Sequence, residues 1–223
     1  MNSLKFKNKL VVVVFILAFL STELSFGQED AKIENSYNTW IGFNLKHKFT
    51  DKLKWNFNPE VRLKDINTPY KYLVETGLEY EIWKPLSFGA SYRFEIKPDD
   101  NSFEYNNRYA FDLNHESKFN RFETKLRWRY SNFSDFDNED SEDIFRYKAD
   151  LSYNIRKSKI TPSISMEAFQ SLNGNGFEKM RYSAGADFKL FKRNTIGLDY
   201  KLDYYLQELK NKHIVSINYK LKF

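Results

Sequence analysis

Apolar and polar residues alternate along most of the chain. In the last stretch His213, Val215, Ile217, Tyr219, Leu221 and Phe223 share one face. Ser216, Asn218, Lys220 and Lys222 share the other, which is polar apart from Ile214. A period of two is the mark of a β-strand, because successive side chains point to opposite faces. The cleanest case sets Leu53, Trp55, Phe57, Pro59, Val61 and Leu63 against Lys54, Asn56, Asn58, Glu60, Arg62 and Lys64. Pro59 brings no N–H to a ladder, so a bulge or weak spot is expected there. The same alternation runs through 37–49, 72–82, 86–96, 108–114, 121–130, 147–155, 160–168, 180–190 and 196–206.

Between these stretches the connections take turns in length. Short turns are expected at 50–52, 84–85, 119–120, 156–158 and 192–194, and longer loops at 65–70, 97–106, 131–144 and 171–178. This rhythm fits an antiparallel meander with a short-turn rim and a long-loop rim, as in transmembrane barrels. No helical period follows residue 27. The fold expected is all-β, an antiparallel up-and-down transmembrane β-barrel. Eleven stretches can be counted, whereas single-chain bacterial barrels have even numbers. The expectation is therefore twelve strands, with ten as the alternative, and residues 31–36 are candidates for part of a twelfth.

The N-terminus belongs to a different kind of segment. Lys5, Lys7 and Lys9 precede an apolar run over 10–20, and Ser25 and Gly27 place small residues before Gln28. That is the layout of a secretory signal peptide. Residues 1–27 are read as the signal and 28–223 as one barrel domain in the cell envelope.

Composition decides which face meets which solvent. Of the 223 residues 29% are charged, and the described pattern holds no apolar run of the roughly 20 residues that a spanning helix needs. A membrane barrel escapes this requirement because only alternate residues face lipid. The 15 Tyr and 21 Phe fall largely on the apolar faces, and they are too bulky for one small interior. Trp40, Trp55 and Phe49 sit towards strand ends, where interface girdles belong. The apolar face is thus expected outward, towards outer-membrane lipid. The lumen is expected to be lined by Glu60, Arg62, Glu75, Glu79, Arg93, Glu95, Arg108, Asp112, Arg127, Arg129, Lys179 and Arg181. These charges could make a selective pore or neutralise one another and seal it.

Other chemistry is sparse. The absence of cysteine removes disulfides, thiolate metal sites and cysteine nucleophiles. The net charge of +5 is too mild to argue for nucleic acid. His47, His115 and His213 fall in the apolar register near strand ends and read as interfacial residues. Ser216 lies near His213 in sequence but on the opposite face, about 10 Å along the strand, which does not make a nucleophile–base pair. Asp135 to Asp143 is acidic, yet it lacks the glycine and the final glutamate spacing of a calcium loop. Asn132-Phe133-Ser134 is a chance glycosylation sequence, and Gly174-Asn175-Gly176 is loop chemistry. No cofactor or metal is expected.

Trp40-Ile41-Gly42, Asn58-Pro59-Glu60-Val61-Arg62, Gly89-Ala90-Ser91-Tyr92-Arg93-Phe94 and the terminal Phe223 together resemble the domain of unknown function family 2490, outer-membrane barrels common in Bacteroidota. The final strand also resembles the C-terminal signature read by the barrel-assembly machinery, which would then be a partner. The resemblance brings no activity. The function expected is non-enzymatic: passage or binding of a small solute, or a structural role in the envelope. The alternatives are a phospholipase-like enzyme at the outer rim and a soluble periplasmic ligand-binding barrel. Oligomeric state is left open by the sequence.

Overall fold

A computed structural model describes residues 33–223 apart from 66, 100–101, 136–140 and 175. The segment read as a signal peptide and most of the acidic loop lie outside the described residues. Within them the chain forms β1 (Glu34–Lys48), β2 (Leu53–Lys64), β3 (Thr68–Trp83), β4 (Leu86–Pro98), β5 (Phe103–Phe119), β6 (Phe122–Asp135), β7 (Ser141–Tyr153), β8 (Ile160–Ser171), β9 (Gly176–Lys189), β10 (Asn194–Tyr205) and β11 (Lys210–Lys222). These strands join in sequence order into one closed barrel.

All neighbours along the meander pair antiparallel, and the closing pair does not. β1 and β11 run parallel, with Glu34 beside Lys210, Thr39 beside Val215 and Lys46 beside Lys222. Eleven strands are present among the described residues, between the ten and twelve expected. An up-and-down meander with an odd count starts and ends in the same direction, so its last strand can meet its first only in parallel. Residues 34–36, considered for a twelfth strand, are the first residues of β1 itself.

The long loops shrink. Strands continue into 65–70, 97–106, 131–144 and 171–178, taking up half or more of each. The ladder is made by backbone groups, so it persists where side chains are polar on both faces and the alternation can no longer be read. The tightest turns are Lys84–Pro85 and Asn120–Arg121, with Asn120 in the left-handed region at φ 54°, a conformation that Asn tolerates better than most residues. Both turns lie on the rim where β11 ends.

Of the four prolines within strands, Pro59 and Pro162 sit where pairing is interrupted. Gly42 pairs with Glu60 and the next pair is Leu45 with Phe57, so the β1 ladder lapses across from Pro59. Pro162 lies just beyond the last β7–β8 pair, Ser152 with Ser163. A residue without an N–H is tolerated at such positions. The register shift in the β2–β3 ladder falls elsewhere, between Arg62 and Leu63, where Tyr70 of β3 is the extra residue.

Burial inverts the pattern of a water-soluble barrel. Ile41, Leu78, Phe111, Leu198 and Val215 are exposed, Val215 to 52%. Glu75, Glu95, Arg108, Asp112, Arg129, Glu167 and Asp203 are buried. Cross-strand aromatic pairs such as Phe88–Phe111, Tyr92–Tyr109 and Phe122–Tyr153 cover the outer wall, the usual way in which facing residues support a ladder. Among the described residues no helix is long and apolar enough to cross a membrane, which carries no information about strands.

Candidate functional site: the lumen

Every strand contributes alternate residues to the interior, and the registers align them in rows. Glu75 on β3 stands opposite Arg93 on β4, which stands opposite Arg108 on β5. Asp112 on β5 stands opposite Arg129 on β6, and Arg181 on β9 opposite Asp203 on β10. Opposite charges at facing positions are a consequence of sequence and register together.

The resulting ion pairs form a belt across the lumen. Glu75 accepts from Arg93 at 2.8 Å and from Arg108 at 2.7 Å, and Arg129 on β6 approaches it to 3.7 Å. Arg129 also makes a two-pronged contact with Asp112, at 2.6 and 2.7 Å. Arg127 leaves its own wall and reaches Glu167 on β8 at 2.7 Å. Glu167 accepts from Arg146 at 2.8 Å as well, with Arg181 4.0 Å away. Asp203 holds Arg181 at 2.5 Å and Lys179 at 3.1 Å. Glu95 is held by Lys71 at 3.0 Å, with Arg93 at 3.7 Å. Glu95, Glu167 and Asp203 are no more than 2% exposed. Charges removed from water in this way need partners, and each carboxylate here has at least two.

Above the belt, towards the rim where β1 begins, aromatic and aliphatic side chains fill the space. Trp40 corrects a reading from the sequence: it is an interior residue, 5% exposed, and not part of an interface girdle. Arg62 stacks over its ring at 3.8 Å, and Arg181 and Lys201 lie 5.0 Å from it. Phe169 takes Arg146, Lys179 and Arg181 at 4.5, 4.6 and 5.1 Å. The quadrupole of an aromatic face attracts cations, more so away from water. Leu73, Ile144 and Ile214 complete this plug. The exception noted on the polar face of the last strand, Ile214, is a packing residue.

Below the belt, towards Phe223, the lumen opens into a polar chamber of about 340 Å³, and a smaller one of about 110 Å³ lies against Lys148, Ser165 and Lys201. Gly77 and Gly89 are among its lining residues, and a Cβ at Gly77 would come within 2.8 Å of Ser91. Glu79 stands at its side, holding Lys46 at 3.2 Å and Lys54 at 3.1 Å.

The charged residues expected to line the lumen all occupy inward positions, and the structure joins most of them into the belt. Glu79 stands apart in the chamber, and Glu60, paired with Arg62 at 2.7 Å, stands apart in the plug. Arg146, Glu167 and Asp203 also belong to the belt and were absent from that set. Their signal was available, since each falls in the polar register of its strand. Phe169 and Trp40 fall in the polar register too, but their residue types belong by default to the outer face, and type outweighed parity.

The histidines lie on the wall. Among the described residues no serine hydroxyl is bonded to any of them. His213 stacks on Tyr37 with ring centres 5.0 Å apart. Its Nε2 lies 3.1 Å from Asn35 Oδ1 and its Nδ1 2.6 Å from the Tyr200 hydroxyl. An amide oxygen only accepts, so Nε2 carries the proton and Nδ1 accepts from the phenol. His47 packs between Phe49 and Phe223, with centres 4.9 and 4.7 Å away.

No curated protein matches the chain. The model of one family, described as a protein of unknown function (DUF2490), matches residues 37–212. That span runs from the stacked Tyr37 at the seam through the strands that supply the belt and into β11, and the chain belongs to this family.

Proposed function

We propose that the protein is an exported outer-membrane β-barrel with a non-enzymatic role, holding a small polar solute in a lumen that the ion-pair belt blocks. The observation that carries this reading is the inverted polarity of the wall. Large apolar side chains are exposed around the barrel while ionised groups are buried around its axis. A soluble barrel buries its apolar face, and soluble proteins seldom expose apolar patches beyond a few hundred Å². Acyl chains are the solvent that satisfies such a wall. Strands of 12 to 17 residues exceed the roughly 9–11 that a tilted strand needs to span the bilayer. The two-residue turns on the Phe223 rim fit the periplasmic side.

The Tyr200–His213–Asn35 chain is what supports the rival reading, a rim enzyme. It sets a phenol against the base, and the N–H groups of a continuous ladder are not free to stabilise an oxyanion. We keep the non-enzymatic reading, and release of fatty acid from phospholipid vesicles by the folded barrel would overturn it.

The test has two parts. The protein should float with outer-membrane vesicles and migrate faster on gels unheated than boiled. In planar bilayers the folded barrel should show no steady ion channels. Recovery in the soluble periplasmic fraction would sink the membrane reading, and regular channel events would sink the blocked lumen.

A further inference from the structure

We propose that the chamber below the belt binds a small hydroxylated anion, of the class of sugar phosphates or sugar acids. This rests on the reading of the lumen as a blocked, solute-holding interior and names the chemistry of the solute. At about 340 Å³ the chamber is within the size range of small-molecule sites. Its β3–β4 wall is made largely of small residues: Gly77 faces Ser91 and Glu79 faces Gly89 across the ladder. The adjoining rows carry long charged residues.

Its lining is polar. Asn114 is 5% exposed and lines the chamber. The side chains of Asn56 and Ser91 line it as well. Each amide offers two donors and an acceptor. At the floor, Arg127 has a buried Nε with no hydrogen-bond partner. An array of amides and a hydroxyl is suited to sugar hydroxyls, which also both donate and accept.

The charge points to an anion. Around the opening stand Lys46, Lys54, Lys125 and Lys222. Glu79 pairs with the first two and Glu116 with the third at 2.8 Å, and among the described residues Lys222 has no carboxylate partner. Cations therefore outnumber carboxylates at the mouth, which draws anions in and repels cations. A phosphate or carboxylate can take Lys222, which lines the chamber, since bonds to charged groups are the strong ones.

Calorimetry on the full-length folded barrel in detergent tests this, using glucose 6-phosphate, glucose and inorganic phosphate as probes. Glucose 6-phosphate should bind at least about tenfold more tightly than either of the others, a gap of one decade in Kd. Ser91→Leu fills the gap without altering charge, and Asn114→Leu removes an amide from the lining. Each should weaken binding about tenfold or more while gel migration stays that of a folded barrel. Should Asn114→Leu fail to fold, Ser91→Leu alone decides. No heat from any probe, equal affinity for phosphate alone, or binding indifferent to the variants would each overturn the assignment. Flotation and conductance report on the wall and the belt, so their failure is distinguishable from failure here.

Discussion

The lumen is governed residue by residue through pairing. Asp203 shows why. It is 1% exposed and is the shared partner of Arg181 and Lys179. A buried ion pair is worth little against a well-packed apolar replacement, but removing one member strands the other charge. Asp203→Ala should therefore lower unfolding stability by about 3–5 kcal/mol, read from the urea midpoint of the folded barrel in detergent. Adding Arg181→Ala should restore part of that loss. If the double variant falls by the sum of both singles, the two residues do not act as a pair. Trp40 belongs to the same scale. Its indole is tolerated inside because three cationic side chains approach the ring within about 5 Å, so an aromatic residue replaces part of the solvation those cations have lost.

At the level of the strand, the alternation carries the physics. Leu198 and Lys201 belong to the same element, β10, and their side chains point to opposite faces. Leu198 is 43% exposed, beside Ala186 of β9 and Ile217 of β11 on the outer wall. If that wall meets lipid, Leu198→Arg should destabilise the inserted barrel by about 2–4 kcal/mol, as charges at the bilayer midplane do. Refolding into vesicles of increasing urea content would measure it. A change below about 0.5 kcal/mol, typical of a water-exposed surface, would mean that the wall faces water. The strands also explain why the loops were over-read. Phe103 to Arg108 and Ser141 to Phe145 lie in paired strands, because a hairpin keeps its backbone ladder where the buried positions are themselves polar, such as Asn106 and Asn107, and no apolar alternation marks them.

For the whole molecule, the decisive feature is closure by a parallel pair. An odd meander with an antiparallel seam is topologically impossible, so the seam tests the strand count. The chain has no cysteine, which makes introduced pairs unambiguous. Thr39→Cys with Val215→Cys, and Phe43→Cys with Tyr219→Cys, should each cross-link with a short bifunctional maleimide, since both pairs are in register. An antiparallel seam would instead join Thr39→Cys to Tyr219→Cys and Phe43→Cys to Val215→Cys. Closure also fixes the interior. It brings Arg129 of β6 to Glu75 of β3 and Arg127 of β6 to Glu167 of β8, contacts between non-neighbouring strands that exist only because the sheet curves back on itself.

The amino-acid sequence by itself determined the strands, their two faces and which set of residues lies inside, because a side chain's face follows from its parity along an extended backbone. It also placed the tight turn at Asn120 and the interrupted ladder near Pro59, where backbone chemistry is local. Only the tertiary structure decided the closure, the gathering of cations around Trp40 and the division of the lumen into plug, belt and chamber. Those depend on which distant residues face one another across the barrel, and that follows from register, shear and the direction of the seam, none of which leaves a periodic trace in the chain.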